Sequence, residues 1–108
     1  MRALCYAQTN IGSGRDNNED NYYCNGTFKR DPAIPVAEAA AEQESRRLIY
    51  GVFDGMGGAK SGNVASSLAV EVFTGEVRRT QKAGMTPEKA AAMLRSALEL
   101  ANRAVYEQ

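Results

Sequence analysis

Apolar and polar positions along the chain fall into short runs, and most runs predict one element each. Ala3 to Thr9 sets Leu4, Tyr6 and other apolar groups among small polar ones and reads as a strand with imperfect alternation. Asn10 to Asn21 turns abruptly polar and is rich in Gly, Asn, Asp and Ser. Such side chains bond local backbone and tolerate unusual dihedrals, so this stretch predicts turns. Tyr22-Tyr23-Cys24 favours a strand. Asn25-Gly26 is a two-residue hairpin signal after which Thr27-Phe28 would begin a returning strand. Asp31 to Ser45, with Pro32, Pro35 and an Ala/Glu-rich tail, reads as a surface loop with a helical turn or two. Arg47 to Phe53 is a short apolar strand bounded by charge and by a glycine cluster, Asp54 to Gly62.

The period then changes to that of a helix. From Asn63 to about Arg79, Val64, Leu68 and Val72 lie four apart, as do Ala65, Ala69 and Phe73, predicting one broad apolar face. Thr86-Pro87-Glu88 is a helix start, with Thr86 as N-cap and Pro87 in the first helical position. Leu94, Leu98, Ala101 and Val105 make a second stripe. Two consecutive helices cannot both be crossovers between parallel strands, so the order predicts an α+β architecture, antiparallel strands followed by two long helices.

Composition narrows the chemistry. The 108 residues carry 13 Lys and Arg against 13 Asp and Glu, which predicts no nucleic-acid partner and no attraction to an anionic membrane. No apolar run approaches the ~18 residues of a membrane span, and no signal peptide is apparent, so a cytoplasmic location is expected. The two cysteines, Cys5 and Cys24, make no Cys-x-x-Cys pair and are expected to be reduced. With no histidine, this chain supplies no Ser-His-Asp or Cys-His nucleophile.

Two acid-bearing, glycine-flanked segments remain: Gly14 to Asn21, with Arg15, Glu19 and Asp20, and Val52-Phe53-Asp54-Gly55-Met56-Gly57-Gly58. Asp54 stands where an apolar strand, expected to be buried, opens into a glycine loop. A carboxylate there, beside a free carbonyl, is either half of a site for magnesium or manganese or a cap on the following turn. Arg15 offers a planar fork for phosphate oxygens, or pairs with Asp16 or Glu19. A nucleotide-binding P-loop is excluded, since its two glycines would fall on Asp54 and Ala59 ahead of Lys60. The dinucleotide pattern fails too, because Lys60 stands where its last glycine belongs.

Arg15-x-x-x-Glu19-Asp20 followed by Val52-Phe53-Asp54-Gly55-Met56-Gly57-Gly58, and then by Ser61 to Ser67, resembles the protein phosphatase 2C family, the metal-dependent protein serine/threonine phosphatases. The Met-Gly-Gly form is most similar to the bacterial branch. The resemblance implies the N-terminal portion of an α-β-β-α four-layer sandwich spanning residues 1–108. It further implies that Asp54 bridges two Mn2+ or Mg2+ ions and that the Gly55 carbonyl ligates one. Glu19 and Asp20 would act near the metals, partly through water, and Arg15 would bind the substrate phosphate. Phosphoserine or phosphothreonine in a protein would then be hydrolysed by metal-activated water, without a covalent intermediate. Met56 stands where some relatives carry a histidine proposed as general acid.

The departure from the family pattern lies after Asp54, where the chain has no further aspartate for the second metal. The chain is therefore expected to be one part of such a catalytic domain, weakly active or inactive alone and able to self-associate. A non-catalytic module that pairs with another chain, and a phosphate- or nucleotide-binding protein using the glycine loop, are the alternatives.

Overall fold

Nine residues of alternating character build the first strand, and a segment of helix-favouring composition builds its partner. In the computed structural model, which describes residues 2–44, 48–55 and 62–107, β1 (Arg2–Asn10) pairs antiparallel with β3 (Val36–Glu44) in an unbroken register from Arg2↔Glu44 to Asn10↔Val36. A second ladder joins β2 (Asp20–Cys24) to β4 (Tyr50–Asp54), with Asp20 opposite Asp54 and Cys24 opposite Tyr50. Two helices follow, α1 (Gly62–Thr80) and α2 (Pro87–Tyr106). The order is the α+β arrangement expected, strands first and helices after.

The chain divides into two compact units, Met1–Ser67 and Leu68–Gln108. In the first, β2 supplies a run of four buried side chains, Asn21, Tyr22, Tyr23 and Cys24, joined by Thr9, Asn18, Phe28, Lys29, Ser66 and Ser67. In the second, the buried residues are Val70, Phe73, Thr74 and Val77 of α1 and Met93, Ala97 and Ala101 of α2. No helix among the described residues is long and apolar enough to cross a membrane.

Four expectations need correction. The Asp31–Ser45 loop contains the strand β3 instead. Its Ala and Glu residues favour helix in isolation, but cross-strand partners override that weak preference. Tyr6 Oη donates to Glu38 Oε2 at 2.7 Å, and Arg2 forms an ion pair with Glu42, both diagonally across the ladder. The Asn25-Gly26 turn forms, both residues at positive φ (45° and 106°), but the return stops at a single Cys24↔Thr27 bridge. The ladder of β2 belongs to β4, and Ile49 then continues it by bonding Asn25. The strand before Asp54 is not buried on both faces, because Val52 is 82% exposed and Tyr50 is 46% exposed. Finally, Cys5 and Cys24 are joined as a disulfide.

The helix stripes agree with expectation only in part: Phe73 and Ala101 are buried as expected, but the rest of each buried line is displaced. Val64 of α1 and Leu98 of α2 are exposed, while Val70-Phe73-Val77 and Met93-Ala97-Ala101 are the buried lines. Thr86 caps α2 as expected, its hydroxyl accepting from the Lys89 N–H at 3.2 Å.

Candidate functional site

The Asn-rich loop before β2 is shaped by two buried asparagines. Asn18 sits at the centre. Its Nδ2 donates to Thr9 Oγ1 at 2.9 Å and to the Pro35 carbonyl at 3.0 Å, while its Oδ1 accepts the Asp20 N–H at 3.0 Å. Thr9 Oγ1 also lies 3.3 Å from the Asp20 carbonyl. The loop is thus fastened to β1 on one side and to the entry of β3 on the other.

Asn21 works in the opposite direction. Its side chain mimics a backbone partner for Lys29: Oδ1 accepts the Lys29 N–H at 2.9 Å and Nδ2 donates to the Lys29 carbonyl at 2.8 Å. Lys29 is 2% exposed, and its ammonium lies 3.4 Å from the Asn18 carbonyl. Burial pushes the Lys29 ammonium below the usual lysine range, and the charges of Asp20 and Asp31 oppose that.

Between these clamps the acidic groups converge. Asp20 and Asp54 stand directly opposite at the end of the β2–β4 ladder, where side chains lie on one face and like charges repel. The Asp20 carboxyl is raised above the usual carboxylate range. Partial burial is the first cause, and the hydrogen bond and negative charge of Asp54 follow; the Gly55 backbone N–H and the Arg15 charge pull the other way.

Gly55 N donates to the Glu19 carbonyl at 2.9 Å. A Cβ on Gly55 would lie 2.2 Å from that same oxygen and 2.4 Å from the Gly62 carbonyl, so only glycine fits. Gly62 is less constrained: its Cβ would lie 2.7 Å from Glu19 Cδ, the far end of a side chain that can move. The Glu19 carboxylate therefore rests against the first residue of α1, where the helix dipole favours negative charge. Arg15 Nη1 reaches Glu19 Oε2 at 3.4 Å from a largely exposed position.

Arg15, Glu19, Asp20, Asp54 and Gly55 are accordingly brought into one cluster, and Asp54 faces the Arg15–Asp20 stretch. Met56, Gly57, Gly58, Lys60 and Ser61 lie outside the described residues. The donor set is all oxygen. Two facing carboxylates suit a hard divalent cation that keeps several waters. They do not by themselves amount to a full cage, and among the described residues no group of three or more acidic or Cys side chains could hold a metal. Asn18, Asn21, Thr9 and Lys29 were missed as site-forming residues. The available signal was two asparagines spaced three apart around the Glu19-Asp20 pair, a pattern that reads only as turn chemistry until their partners are known.

No protein-family model, curated protein or solved structure matches the chain.

Proposed function

We propose that this chain carries the first metal- and phosphate-binding motifs of a phosphoprotein phosphatase of the 2C type, hydrolysing phosphoserine and phosphothreonine in cytoplasmic proteins. The observation that supports it most is the facing pair Asp20 and Asp54, with Arg15 on the loop that leads into β2, beside Glu19. Asp54 and Asp20 would hold Mn2+ or Mg2+ from opposite strands. Such an ion supplies an activated water and neutralises charge on a phosphoryl group. Glu19 holds the Gly55 backbone through its carbonyl and so fixes the end of β4. Arg15, mostly exposed, is free to exchange its single long contact with Glu19 for two phosphate oxygens. On this reading the remaining ligands, and the layers of a four-layer sandwich that would cover Leu4 and Val52, come from a further segment.

Phosphate release from a phosphothreonine peptide under millimolar Mn2+ tests the reading. The chain, supplemented with a segment providing the missing aspartates, is expected to give metal-dependent release that Asp54→Asn reduces by at least about a hundredfold. Equal release by the variant would end the assignment.

A second reading has its own support. Leu4 (81% exposed) and Tyr6 (64% exposed) line one groove with Tyr50 and Val52, an apolar surface that suits association with another chain. Sedimentation that shows a monomer at every concentration, with or without metal, would count against it.

A further inference from the structure

Cys5 lies in the middle of β1 and Cys24 ends β2, and their Cα atoms are 6.8 Å apart, within the span a disulfide bridges. The two strands belong to different ladders, β1 with β3 and β2 with β4. The disulfide is thus a covalent tie between the two sheets, placed at the far end of β2 from the Thr9–Asp20 contact. The two cysteine residues differ in exposure. Cys24 is 1% exposed, whereas Cys5 is half-buried and lines an open groove of about 600 Å³ with Leu4, Tyr6, Tyr22, Tyr50 and Val52. A small thiol can therefore approach one end of the bond only.

We infer that the Cys5–Cys24 bond is a thiol–disulfide exchange site, entered at Cys5 from this groove by small thiols of the glutathione class, which locks and releases the two sheets. A thiolate from the groove attacks Cys5 Sγ. The Cys5–Cys24 bond breaks, a mixed disulfide forms on Cys5, and Cys24 leaves as a thiolate that takes a proton from water. A second small thiolate attacks the sulfur of the first on the mixed disulfide, freeing Cys5 and forming the oxidised small disulfide. Two electrons pass from two small thiols to the protein bond, and oxidation runs the same steps backwards. The groove admits the reagent, and burial of Cys24 directs it to the other sulfur. This inference concerns the chain alone, with the groove uncovered, and does not need the phosphatase reading; layers covering Leu4 and Val52 would close the same entrance.

The test equilibrates the full chain in buffers of reduced and oxidised glutathione at graded ratios, quenches with acid, alkylates free thiols, and reads intact mass and peptide maps. One two-electron transition is expected, with the glutathione adduct at intermediate ratios on Cys5, and the oxidised form should show a higher urea midpoint than the reduced form. Cys24→Ser should accumulate a stable adduct on Cys5, while Cys5→Ser should take none on Cys24. If a serine variant fails to fold, the adduct site in the unaltered chain gives the same answer. Adducts on Cys24, two free thiols at every ratio including oxidised glutathione alone, or identical urea midpoints for the two forms would overturn the inference.

Discussion

Both sheets of the Met1–Ser67 unit are antiparallel pairs, yet different forces hold them. The β1–β3 ladder runs nine residues and shows solvent a face of Leu4, Tyr6, Glu38 and Glu42. Its side-chain ties, Tyr6 to Glu38 and Arg2 to Glu42, are exposed, and solvent screens them. The β2–β4 ladder runs only five residues, but β2 is buried almost throughout and is fixed by Asn18 and Asn21. Backbone pairing carries the long sheet. Buried side-chain hydrogen bonds carry the short one, and the acidic cluster is built on the short one. Carboxylates that repel each other need rigid supports, and buried amides with every partner satisfied provide them.

That contrast sets an order of sensitivity. Asn21→Ala should have the largest effect, because it strands the Lys29 N–H and carbonyl together; at about 1–3 kcal/mol for each unpaired buried group, a loss of roughly 3–4 kcal/mol is expected in urea unfolding. A loss below about 1 kcal/mol would mean the clamp is replaced by water. Gly55→Ala comes next, at about 2–3 kcal/mol, since the new methyl group meets two backbone oxygens that cannot turn away. It should also change the amide shifts of Glu19 and Asp54, whereas a glycine chosen at the surface, such as Gly75, with open space around its Cα, should not.

Asp20→Asn should act in the opposite direction in metal-free protein. Asp20 keeps its proton to higher pH in the folded chain than in the unfolded one. The folded state therefore binds more protons in that window, and stability is lost as pH rises through the folded value. The amide removes the like charge, so the variant should be slightly more stable at neutral pH, by well under about 1 kcal/mol at this exposed position, and its stability should vary less with pH. A variant that is less stable at neutral pH would show that Asp20 has a partner outweighing Asp54. The smallest effect belongs to Tyr6→Phe on the long sheet. Its hydrogen bond to Glu38 raises the phenol pKa, yet the side chain is exposed, and the urea midpoint should not move measurably. A clear drop would place the β1–β3 surface among the supports of the fold.

How far the fold was legible depends on what each element rests on. β1, the end of β4 and both helices were visible because apolar spacing and the Thr86-Pro87 cap are local properties. β3 was hidden because Val-Ala-Glu-Ala-Ala-Ala-Glu-Gln-Glu has no strand pattern, and its partner lies some thirty residues earlier in the chain. The buried helix faces were partly misplaced because Ser66, Ser67 and Thr74 occupy them. Thr74 returns its hydroxyl to the Val70 carbonyl at 2.6 Å, so these polar residues pack without loss. Of the site, the acids and Arg15 were legible through the family resemblance of their two motifs, since spacing alone left each with an ordinary turn or ion-pair reading. Their supports were not, since an asparagine that clamps a distant backbone looks the same in sequence as one that merely turns.

Asp20 and Asp54 face each other at the end of the β2–β4 ladder, and on the proposed reading they hold a divalent cation there. Paramagnetic broadening of backbone amide signals by substoichiometric Mn2+ tests it most directly. The signals of Asp20, Asp54 and Gly55 should broaden first, and Asp54→Asn should remove the effect. Broadening centred on other acidic residues, or persisting unchanged in Asp54→Asn, would contradict it.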